Sequence, residues 1–143
     1  KFGNAVFPHH DDAGICGFEL KNRNFTGFSK GGVKGVWRSV NIEVARRIVI
    51  AESAIDCMSH AQLFPELEAA YVSIGGSMSG SQRELLCALF SRVGLVEIVI
   101  ATDNDGGGER LAEELAHLAP VCWREVPTCK DWNEQLKGIH KAA

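Results

Sequence analysis

Several features that define common protein classes are missing from this chain of 143 residues. No segment approaches the roughly 20 apolar residues that a membrane-spanning helix requires. The five cysteines include no CxxC pair and are odd in number, which argues against both a zinc ribbon and a disulfide framework. The hydrophobic fraction of 45% and the charged fraction of 23% are ordinary for a globular protein. We therefore expect one globular domain in a reducing cytoplasm, with no membrane partner.

Two glycine-rich nucleotide motifs are also absent. The chain has neither the G-x-G-x-x-G spacing of dinucleotide sites nor the G-x-x-x-x-G-K-[ST] of a P-loop, so neither NAD nor an ATPase of that class is supported. The sequence begins with Lys1 rather than Met and shows no secretory signal. We expect it to be a piece of a longer protein that carries other domains.

The net charge of −3 conceals a division along the chain. Residues 1–50 carry eight Lys/Arg and four Asp/Glu, a net charge of +4, whereas residues 51–143 carry seven and fourteen, a net charge of −7. A basic face that attracts phosphates, beside a carboxylate cluster that holds cations, suits an enzyme acting on a polyanion. A solvated surface of uneven charge explains the same numbers equally well.

The hydrophobic pattern changes near residue 46. Before it, short apolar runs are separated by turns rich in Asp, Asn and Gly, which predicts β-hairpins. After it, strand-like and helix-like segments alternate in the order βαβαβαβα, and their short Val/Ile-rich runs are typical of parallel strands covered on both faces. We predict an α/β fold with a small β-rich section over residues 1–45. Residues 46–143 should form a parallel sheet of about four strands flanked by helices.

Two carboxylates stand one residue apart where an apolar run ends. Asp103 and Asp105 follow the run from Ile98 to Thr102 and precede three glycines and a helical pattern. Residues i and i+2 of an extended segment point the same way, so these like charges repel and need a compensating cation. A hard divalent ion such as Mg²⁺, which prefers carboxylate oxygens, meets that need in a phosphate-handling cleft.

Further acids lie near the ends of other predicted strands. Glu52 comes directly after a Val/Ile run, so it should share one edge of the sheet with Asp103, because the carboxyl ends of parallel strands meet there. Asp56 lies in the first turn of the next helix, where it either caps helix amides or turns an oxygen toward the same ions. Asp131 and Asn133 again sit two apart, in the sequence KDWN. Simple capping explains any one of these acids, but three strand ends with acids favour a shared site.

Glycines and basic residues offer candidate contacts to phosphates. Gly75 and Gly76 either let the backbone approach a ligand or simply turn the chain. Basic residues on the front hairpins are candidates to hold template or nucleotide phosphates, although a plain surface role is open to each. These residues are Lys21, Arg23, Lys30 and Lys34. Trp132 and the aromatic residues of the front section either stack on bases or lie in the core.

Four segments follow, in order and spacing, the motifs of the Toprim domain shared by topoisomerases and primases: ESAID, SIGGSMSG, ATDNDGGG and KDWN. The match covers most of residues 48–136 and is most similar to the bacterial primase type of plasmid, phage and mobilisation proteins. The front segment FPHHDDAGICGFELKN resembles the segment that precedes Toprim in these primases. Ser53 stands where the first motif usually has glycine. A single D-x-D is a weak signal, whereas the ordered set is specific.

The resemblance implies a Toprim fold, which is Rossmann-like, and roles for five acids. Glu52 would be the acid/base or metal-associated carboxylate. Asp103 and Asp105 would be the central ligands of Mg²⁺ or Mn²⁺. Asp56 and Asp131 would be supporting ligands.

The closing KDWN motif departs from the pattern of many primases. Asn133 stands where they have aspartate, and its amide supplies only a neutral oxygen. The substitution should weaken any additional metal position but leave the central carboxylates intact. Lys130 of the same motif is a further candidate contact to nucleotide or DNA.

The implied function is that of the catalytic Toprim core of a DNA primase, which makes short primers from nucleoside triphosphates on single-stranded DNA. Helicase or relaxase domains of a longer chain would be its neighbours. A Toprim-type nuclease or phosphodiesterase uses the same carboxylates and stays open, as does a non-catalytic DNA-binding module of a plasmid mobilisation protein. A haloacid-dehalogenase-type phosphatase is disfavoured because its D-x-D-G motif normally opens the domain. A topoisomerase needs a tyrosine nucleophile, and the only tyrosine, Tyr71, lies in a predicted buried strand.

Overall fold

A small antiparallel sheet forms the first part of the molecule. The computed structural model describes residues 3–65, 68–119 and 121–142. The sheet has the strand order β1-β2-β3. Its strands are β1 (Ala5–Asp11), β2 (Gly14–Asn22) and β3 (Phe25–Phe28). The hairpins predicted from the turn residues of the front section are present.

Short polar side chains close the two turns of this sheet. Asp11 Oδ1 accepts a hydrogen bond from the Ala13 amide at 2.9 Å, and Asn22 Oδ1 accepts one from the Asn24 amide at 2.8 Å. Such side-chain bonds to the backbone two residues on are the reason that Asp and Asn favour turns. Gly14 ends the first turn with a φ of 123°, a conformation that side chains rarely adopt.

A second sheet of five strands forms the centre of the molecule, in the order β4-β6-β5-β7-β8. Strands β5 to β8 are parallel, and β4 pairs with β6 in the antiparallel direction. The strands are β4 (Trp37–Arg38), β5 (Arg47–Ala51), β6 (Ala69–Ser73), β7 (Glu97–Ile100) and β8 (Cys122–Arg124). The helices that alternate with the parallel strands are α1 (Ala54–Leu63), α2 (Gly80–Val93), α3 (Gly106–Ala116) and α4 (Trp132–Ala142).

The front section contributes directly to the central sheet. Its residues 37–38 form β4, the edge strand beside β6. A bridge of two backbone hydrogen bonds between His10 and Val36 joins the small sheet to the segment that leads into β4. The division of the chain at residues 45 and 46 remains a prediction, because β4 belongs to the front section by sequence and to the central sheet by hydrogen bonding.

Apolar side chains cover both faces of the central sheet. Ile48, Val49 and Ile50 of β5 are fully buried. Because strand side chains alternate between faces, Ile48 and Ile50 join the core cluster that includes α2 and α3, whereas Val49 joins the one that includes Trp132 of α4. Burial on both faces explains why these strands read as continuous apolar runs rather than alternating ones.

Side-chain caps start three helices at the carboxyl edge of the sheet. Ser53, Ser79 and Asp105 are the N-caps of α1, α2 and α3, and each accepts a hydrogen bond from an amide of the first turn. The predicted α/β class, with a parallel sheet flanked by helices and a β-rich front section, is confirmed. None of the helices in the described ranges is long and apolar enough to cross a membrane.

Candidate active site

The site lies at the carboxyl edge of the central sheet, where β5 and β7 end side by side. Glu52 follows β5, and Asp103 stands three residues beyond the end of β7. The Asp103 amide donates a hydrogen bond to Glu52 Oε1 at 3.4 Å. The parallel pairing of Ile50 with Ile100 sets this position, because it brings both strand ends to the same height.

Asp103 carries a buried oxygen that no group satisfies. Its Oδ1 has no hydrogen-bond partner among the described residues. Burial, and after it the negative charges of neighbouring acids, raise the pKa of Asp103 to about 7. These acids are Glu52, Asp56, Asp131 and Asp105, in order of decreasing effect. Five acids from four parts of the chain therefore converge, and the pKa values of Glu52, Asp56 and Asp103 are raised although lysines act on some of these acids.

Glu52 is held on the side of β5 that faces β6. Its backbone carbonyl accepts hydrogen bonds from the Gly76 amide at 2.9 Å and from Ser73 Oγ at 3.2 Å. Burial raises the pKa of the Glu52 carboxyl, the Asp103 amide lowers it, and the charges of Asp105 and Asp56 raise it. A carboxyl whose pKa is raised holds a proton more readily, a property required of a general acid or base.

Asp105 combines a structural and an electrostatic role. Its Oδ1 accepts hydrogen bonds from the amides of Gly107 at 2.8 Å and Gly108 at 3.0 Å and so begins α3. These bonds lower the pKa of Asp105, whereas the pKa of Asp103 is raised. The exposed carboxyl of Asp105 therefore keeps its negative charge more readily than Asp103 does. Only Oδ1 takes part in the cap.

The turn between the two aspartates is fixed by contacts on both sides. A Cβ atom at Gly108 would lie 2.0 Å from the Asp103 carbonyl oxygen. Only glycine, which has no Cβ atom, fits at this position without a shift of the backbone. Arg124 of β8 donates a hydrogen bond from Nη2 to the same carbonyl at 3.1 Å and pairs through Nη1 with Glu109. Thr102 Oγ1 donates to the Gly108 carbonyl at 2.9 Å. The backbone of Asp103 is therefore held by α3 and β8 together.

Asp56 links α1 to the start of α4. Its Oδ2 is hydrogen bonded to Ser53 Oγ, and its Oδ1 accepts from the Asn133 amide at 3.3 Å. Burial raises the pKa of Asp56, the bond to Ser53 lowers it, and the charge of Asp131 raises it. Asp131 Oδ1 caps α4 by accepting from the Glu134 amide at 2.7 Å. Ser53, which replaces the glycine of the Toprim pattern, thus serves both as a helix cap and as a partner of Asp56.

The acids do not form a finished ligand set in this arrangement. Within residues 3–65, 68–119 and 121–142, no group of three or more His, Cys, Asp or Glu side chains is placed to hold a metal ion together. The orphaned Oδ1 of Asp103 and the raised pKa values of Asp103, Glu52 and Asp56 nevertheless fit a divalent cation, which would offset the repulsion between the carboxylates.

A family model described as Toprim-like matches residues 49–136 of the sequence. The chain belongs to the Toprim-like family. The matched segment contains all the acids described above and the four motifs from which the family was predicted. Residues 1–45 match a second family model, a protein family of unknown function, DUF3991. No curated protein matches the chain significantly.

Three solved structures with a similar fold are a primase fragment, a complex that contains primase domains and a domain of a primase. The primase fragment of the bacteriophage T7 primase-helicase protein is 20% identical, with a TM-score of 0.74 over 99% of this chain and 61% of that one. T7 primase domains bound to an RNA/DNA hybrid and dTTP are also 20% identical, with a TM-score of 0.70 over 97% and 72% of the two chains. The RNA polymerase domain of Mycobacterium tuberculosis primase DnaG is 14% identical, with a TM-score of 0.54 over 96% and 52%. The Toprim-like chain thus spans about three fifths of the T7 fragment and shares its fold.

Three of the predicted basic residues lie around the acids of the Toprim-like domain. Lys21 lowers the pKa of Asp56, and Lys130 lowers the pKa of Glu52 and of Asp105 through their charges. Lys34 Nζ donates a hydrogen bond to the Gly75 carbonyl at 2.8 Å, in the turn that follows β6. Front-section lysines are therefore brought to the edge where the acids of residues 46–143 stand.

Arg23 and Lys30 occupy a different position in the Toprim-like chain. Arg23 lies in the turn between β2 and β3, and Lys30 lies in the turn after β3. Across the part of the chain that the structure describes, no hydrogen bond or ion pair joins either residue to the acids. Their assignment to nucleotide or DNA binding remains a prediction.

The two glycines after β6 turn the Toprim-like chain back over the site. Gly75 and Gly76 have φ angles of 68° and 97°, which strongly favour glycine. The Gly76 amide reaches the Glu52 carbonyl. A turn and a close backbone approach are thus both present at these positions. Their contact to a nucleotide remains a prediction.

Trp132 belongs to the core of the Toprim-like domain rather than to a base-stacking surface. It is 2% exposed, and its Nε1 donates to the Ala101 carbonyl at 2.9 Å. Two other residues near the site were not singled out from the sequence: Glu19, a buried carboxylate on β2, and Arg124, which holds Asp103. The spacing of Glu19 and Lys21, two apart on a predicted strand, is a signal that could have identified the first.

Proposed function

We propose that this domain catalyses metal-dependent nucleotidyl transfer on DNA and is the catalytic core of a primase that makes short primers on single-stranded DNA. The observation that carries the proposal is the convergence of four other acids on Asp103, whose buried Oδ1 has no partner in the described part of the chain. The primase fold of the solved relatives supports the same assignment.

The donor set suits Mg²⁺ or Mn²⁺, because hard divalent ions prefer carboxylate oxygens. In the proposed site, Glu52, Asp103 and Asp105 would hold the ions, with support from Asp56 and Asp131. When bound, such ions would supply Lewis-acid chemistry: they would make the attacking hydroxyl more acidic and offset the negative charge of the leaving pyrophosphate. The neutral amide of Asn133 would contribute a weaker ligand than the aspartate of many primases.

The protein's own groups bind, orient and exchange protons. Lys21, Lys34 and Lys130 would attract the triphosphate to the edge of the sheet, since positive groups there offset the repulsion between substrate and carboxylates. Glu52 would hold the proton of the attacking hydroxyl, consistent with its raised pKa. Arg124 would keep Asp103 in place during the reaction, because it donates a hydrogen bond to the Asp103 carbonyl oxygen, and Gly108 leaves room for that oxygen.

The partners follow from this assignment. We infer single-stranded DNA as the template, nucleoside triphosphates as substrates and further domains, such as a helicase or a relaxase, in the longer protein. The T7 relative is a fragment of a primase-helicase protein, and this chain covers 61% of it. Arg23, Lys30, Gly75 and Gly76 are proposed contacts to nucleotide or DNA. A cytoplasmic plasmid or mobilisation setting is part of the same proposal.

Primer synthesis by the longer natural protein tests the proposal. Labelled nucleotides are supplied with a single-stranded template and Mg²⁺ or Mn²⁺, and the products are compared with those of Asp103→Asn. We expect metal-dependent primers from the natural protein and a loss of at least about 100-fold in the variant. Glu113→Gln, an exposed change on α3, is the control for charge alone. Synthesis that survives Asp103→Asn would reject the assignment, and DNA cleavage without synthesis would show a nuclease instead.

A further inference from the structure

A buried carboxylate lies outside the five acids, on the inner face of the small sheet. Glu19 of β2 is 4% exposed. Its Oε1 forms an ion pair with Lys21 Nζ at 3.3 Å, and its buried Oε2 has no hydrogen-bond partner among the described residues. An ionised carboxylate removed from water is costly unless a counter-charge stays beside it. Glu19 therefore depends on Lys21.

His9 lies near Glu19 and offers it an acceptor rather than a donor. His9 donates from Nδ1 to the Gly35 carbonyl at 2.7 Å, and burial lowers the pKa of this histidine, so its Nε2 is an unprotonated acceptor. A Cβ atom at Gly75 would lie 2.9 Å from His9 Cε1, 3.2 Å from His9 Nε2 and 4.0 Å from Glu19 Cδ. Within the described ranges, Lys21 is the cation that forms an ion pair with Glu19.

Lys21 connects this buried carboxylate to the candidate active site. Residues two apart on a strand share a face, so Glu19 and Lys21 both point from β2 toward the central sheet. The side chain of Lys21 keeps 17% of its exposure, and its positive charge acts on Asp56 of the acid cluster. The ammonium group is thus held by Glu19 and lies close enough to Asp56 for its positive charge to act on that carboxyl.

We propose that Glu19 is a positioning residue that holds the Lys21 ammonium at the acid site, where it binds the phosphates of a nucleoside triphosphate. This inference rests on the proposed function for the nature of the ligand. A free lysine has a long, flexible side chain, and its ordering opposes binding. An ammonium already held by a buried carboxylate has lost that freedom before the triphosphate arrives, which favours binding.

Four proteins test the inference: the natural chain, Glu19→Gln, Lys21→Gln and the double variant. The affinity of each for ATP and for inorganic tripolyphosphate in the presence of Mg²⁺ is measured by calorimetry, and thermal unfolding is followed without ligand. We expect Glu19→Gln to weaken binding by about three- to tenfold, the range given by ordering one long side chain. Lys21→Gln should weaken it by at least about tenfold, and the double variant should bind no worse than Lys21→Gln alone.

Stability separates a positioning role from a merely structural one. Lys21→Gln leaves the Glu19 carboxylate without its counter-charge, so it should lower the unfolding temperature, and the double variant should recover most of the loss. If Glu19 positions Lys21 for phosphate, the double variant recovers stability but does not recover affinity for ATP or tripolyphosphate. A double variant that regains affinity along with stability would show that Lys21 only neutralises Glu19, and the inference would be wrong.

Two further variants complete the comparison. Glu19→Asp keeps the charge and should restore part of the affinity lost in Glu19→Gln. Glu114→Gln breaks the exposed ion pair with Arg83 and should bind ATP as the natural chain does. Unchanged affinity in Glu19→Gln, or no binding of either probe by the natural chain, would overturn the inference. Binding that depends on Lys21 and Glu19 without primer synthesis would refute the proposed function and leave the positioning role standing.

Discussion

The amide of Asp103 points at Oε1 of Glu52 across 3.4 Å, although 51 positions separate the two residues in the sequence. This long hydrogen bond joins the ends of two neighbouring parallel strands, and it places the carboxylate that carries a raised pKa beside the aspartate whose Oδ1 has no partner in the described residues. Substitution of Glu52 is therefore the first test of the site.

Glu52→Gln should remove catalysis and keep the fold. The glutamine oxygen can still accept from the Asp103 amide, whereas the amide group can neither hold a proton nor supply a charged ligand. We expect primer synthesis by the longer protein to fall by at least about 100-fold, with circular dichroism and the unfolding temperature close to those of the natural protein. Full activity in the variant would remove Glu52 from the site.

Asp103→Asn should stabilise the domain in metal-free buffer near pH 8. The pKa of Asp103 is raised to about 7 in the folded protein against about 3.9 in an unfolded chain, so the folded state binds the proton more tightly. The natural chain therefore gains stability as the pH falls from about 7 toward about 4, and this contribution to stability is absent above pH 7. Because Asp103 is only half buried, we discount the effect to about 1 kcal/mol, or about 2–4 °C in unfolding temperature.

Divalent metal should make the natural chain more stable than Asp103→Asn, the reverse of the order in metal-free buffer. Mg²⁺ or Mn²⁺ at millimolar concentration stabilises whichever protein binds it in the folded state. We expect the metal to raise the unfolding temperature of the natural chain and to leave that of Asp103→Asn nearly unchanged, as measured by differential scanning fluorimetry. An equal rise in both proteins would place the metal elsewhere.

Alanine substitutions along the three glycines after Asp105 should differ sharply. A Cβ atom at Gly106 would meet only Arg110 Nη1, at an ordinary 3.6 Å, whereas at Gly108 it would meet the Asp103 carbonyl oxygen at 2.0 Å. Gly106→Ala should change the free energy of unfolding by no more than about 0.5 kcal/mol. Gly108→Ala should destabilise the domain by about 1–3 kcal/mol and abolish primer synthesis, because the Asp103 backbone has to move. Urea unfolding of both variants measures the difference.

His60 should make stability fall at mildly acidic pH. It is fully buried in α1, where Nε2 contacts Glu125 Oε2 at 2.8 Å and Nδ1 contacts the Tyr71 hydroxyl at 3.3 Å. Burial lowers the pKa of His60, although Glu125 raises it in part. A histidine with a lowered folded pKa contributes stability above its unfolded pKa of about 6.5, and that stability is lost as the pH falls below it.

The difference between the natural chain and His60→Gln isolates this effect. Carboxyls with raised pKa values, including Glu52 and Asp103, shift stability in the opposite direction over the same range, so the absolute curve alone is not decisive. We expect the natural chain to lose stability relative to His60→Gln as the pH falls below about 6.5, by at most about 1.4 kcal/mol per pH unit. Parallel curves between pH 5 and pH 8 would contradict the prediction.

The fold of the second part could be predicted because its signals are local. Strands β5 and β7 are short Val/Ile runs, helices begin at capping residues such as Ser79 or Asp105, and the alternation of strands and helices predicts a parallel sheet. The run that contains β4 is predicted as a strand of the front hairpins, but its place in the central sheet could not be predicted in this way. Trp37 and Arg38 are only two residues, and their strand conformation depends on pairing with Val72 and Ser73 of β6, which lie far away in the sequence.

The acids of the site could be predicted for the same reason, since strand ends show where carboxylates converge. The supporting contacts depend on tertiary structure that the sequence pattern does not show. Arg124 looks like an ordinary strand residue until β8 lies beside β7 and brings its guanidinium to the Asp103 carbonyl. Glu19 looks like a solvated charge on a hairpin until the small sheet packs against the central part of the molecule and buries it. Trp132 shows the converse, because burial decides between base stacking and core.

The two-residue strand β4 has a consequence for handling the protein. All five residues of β6 are buried, and Trp37, Arg38 and Ser39 occupy the outer hydrogen-bonding side of that strand. A truncated protein that starts at residue 46 would leave this side open, and an open apolar edge recruits strands from other molecules. The front section therefore prevents β6 from pairing with strands of other molecules. Expression of residues 46–143 by themselves should yield aggregates.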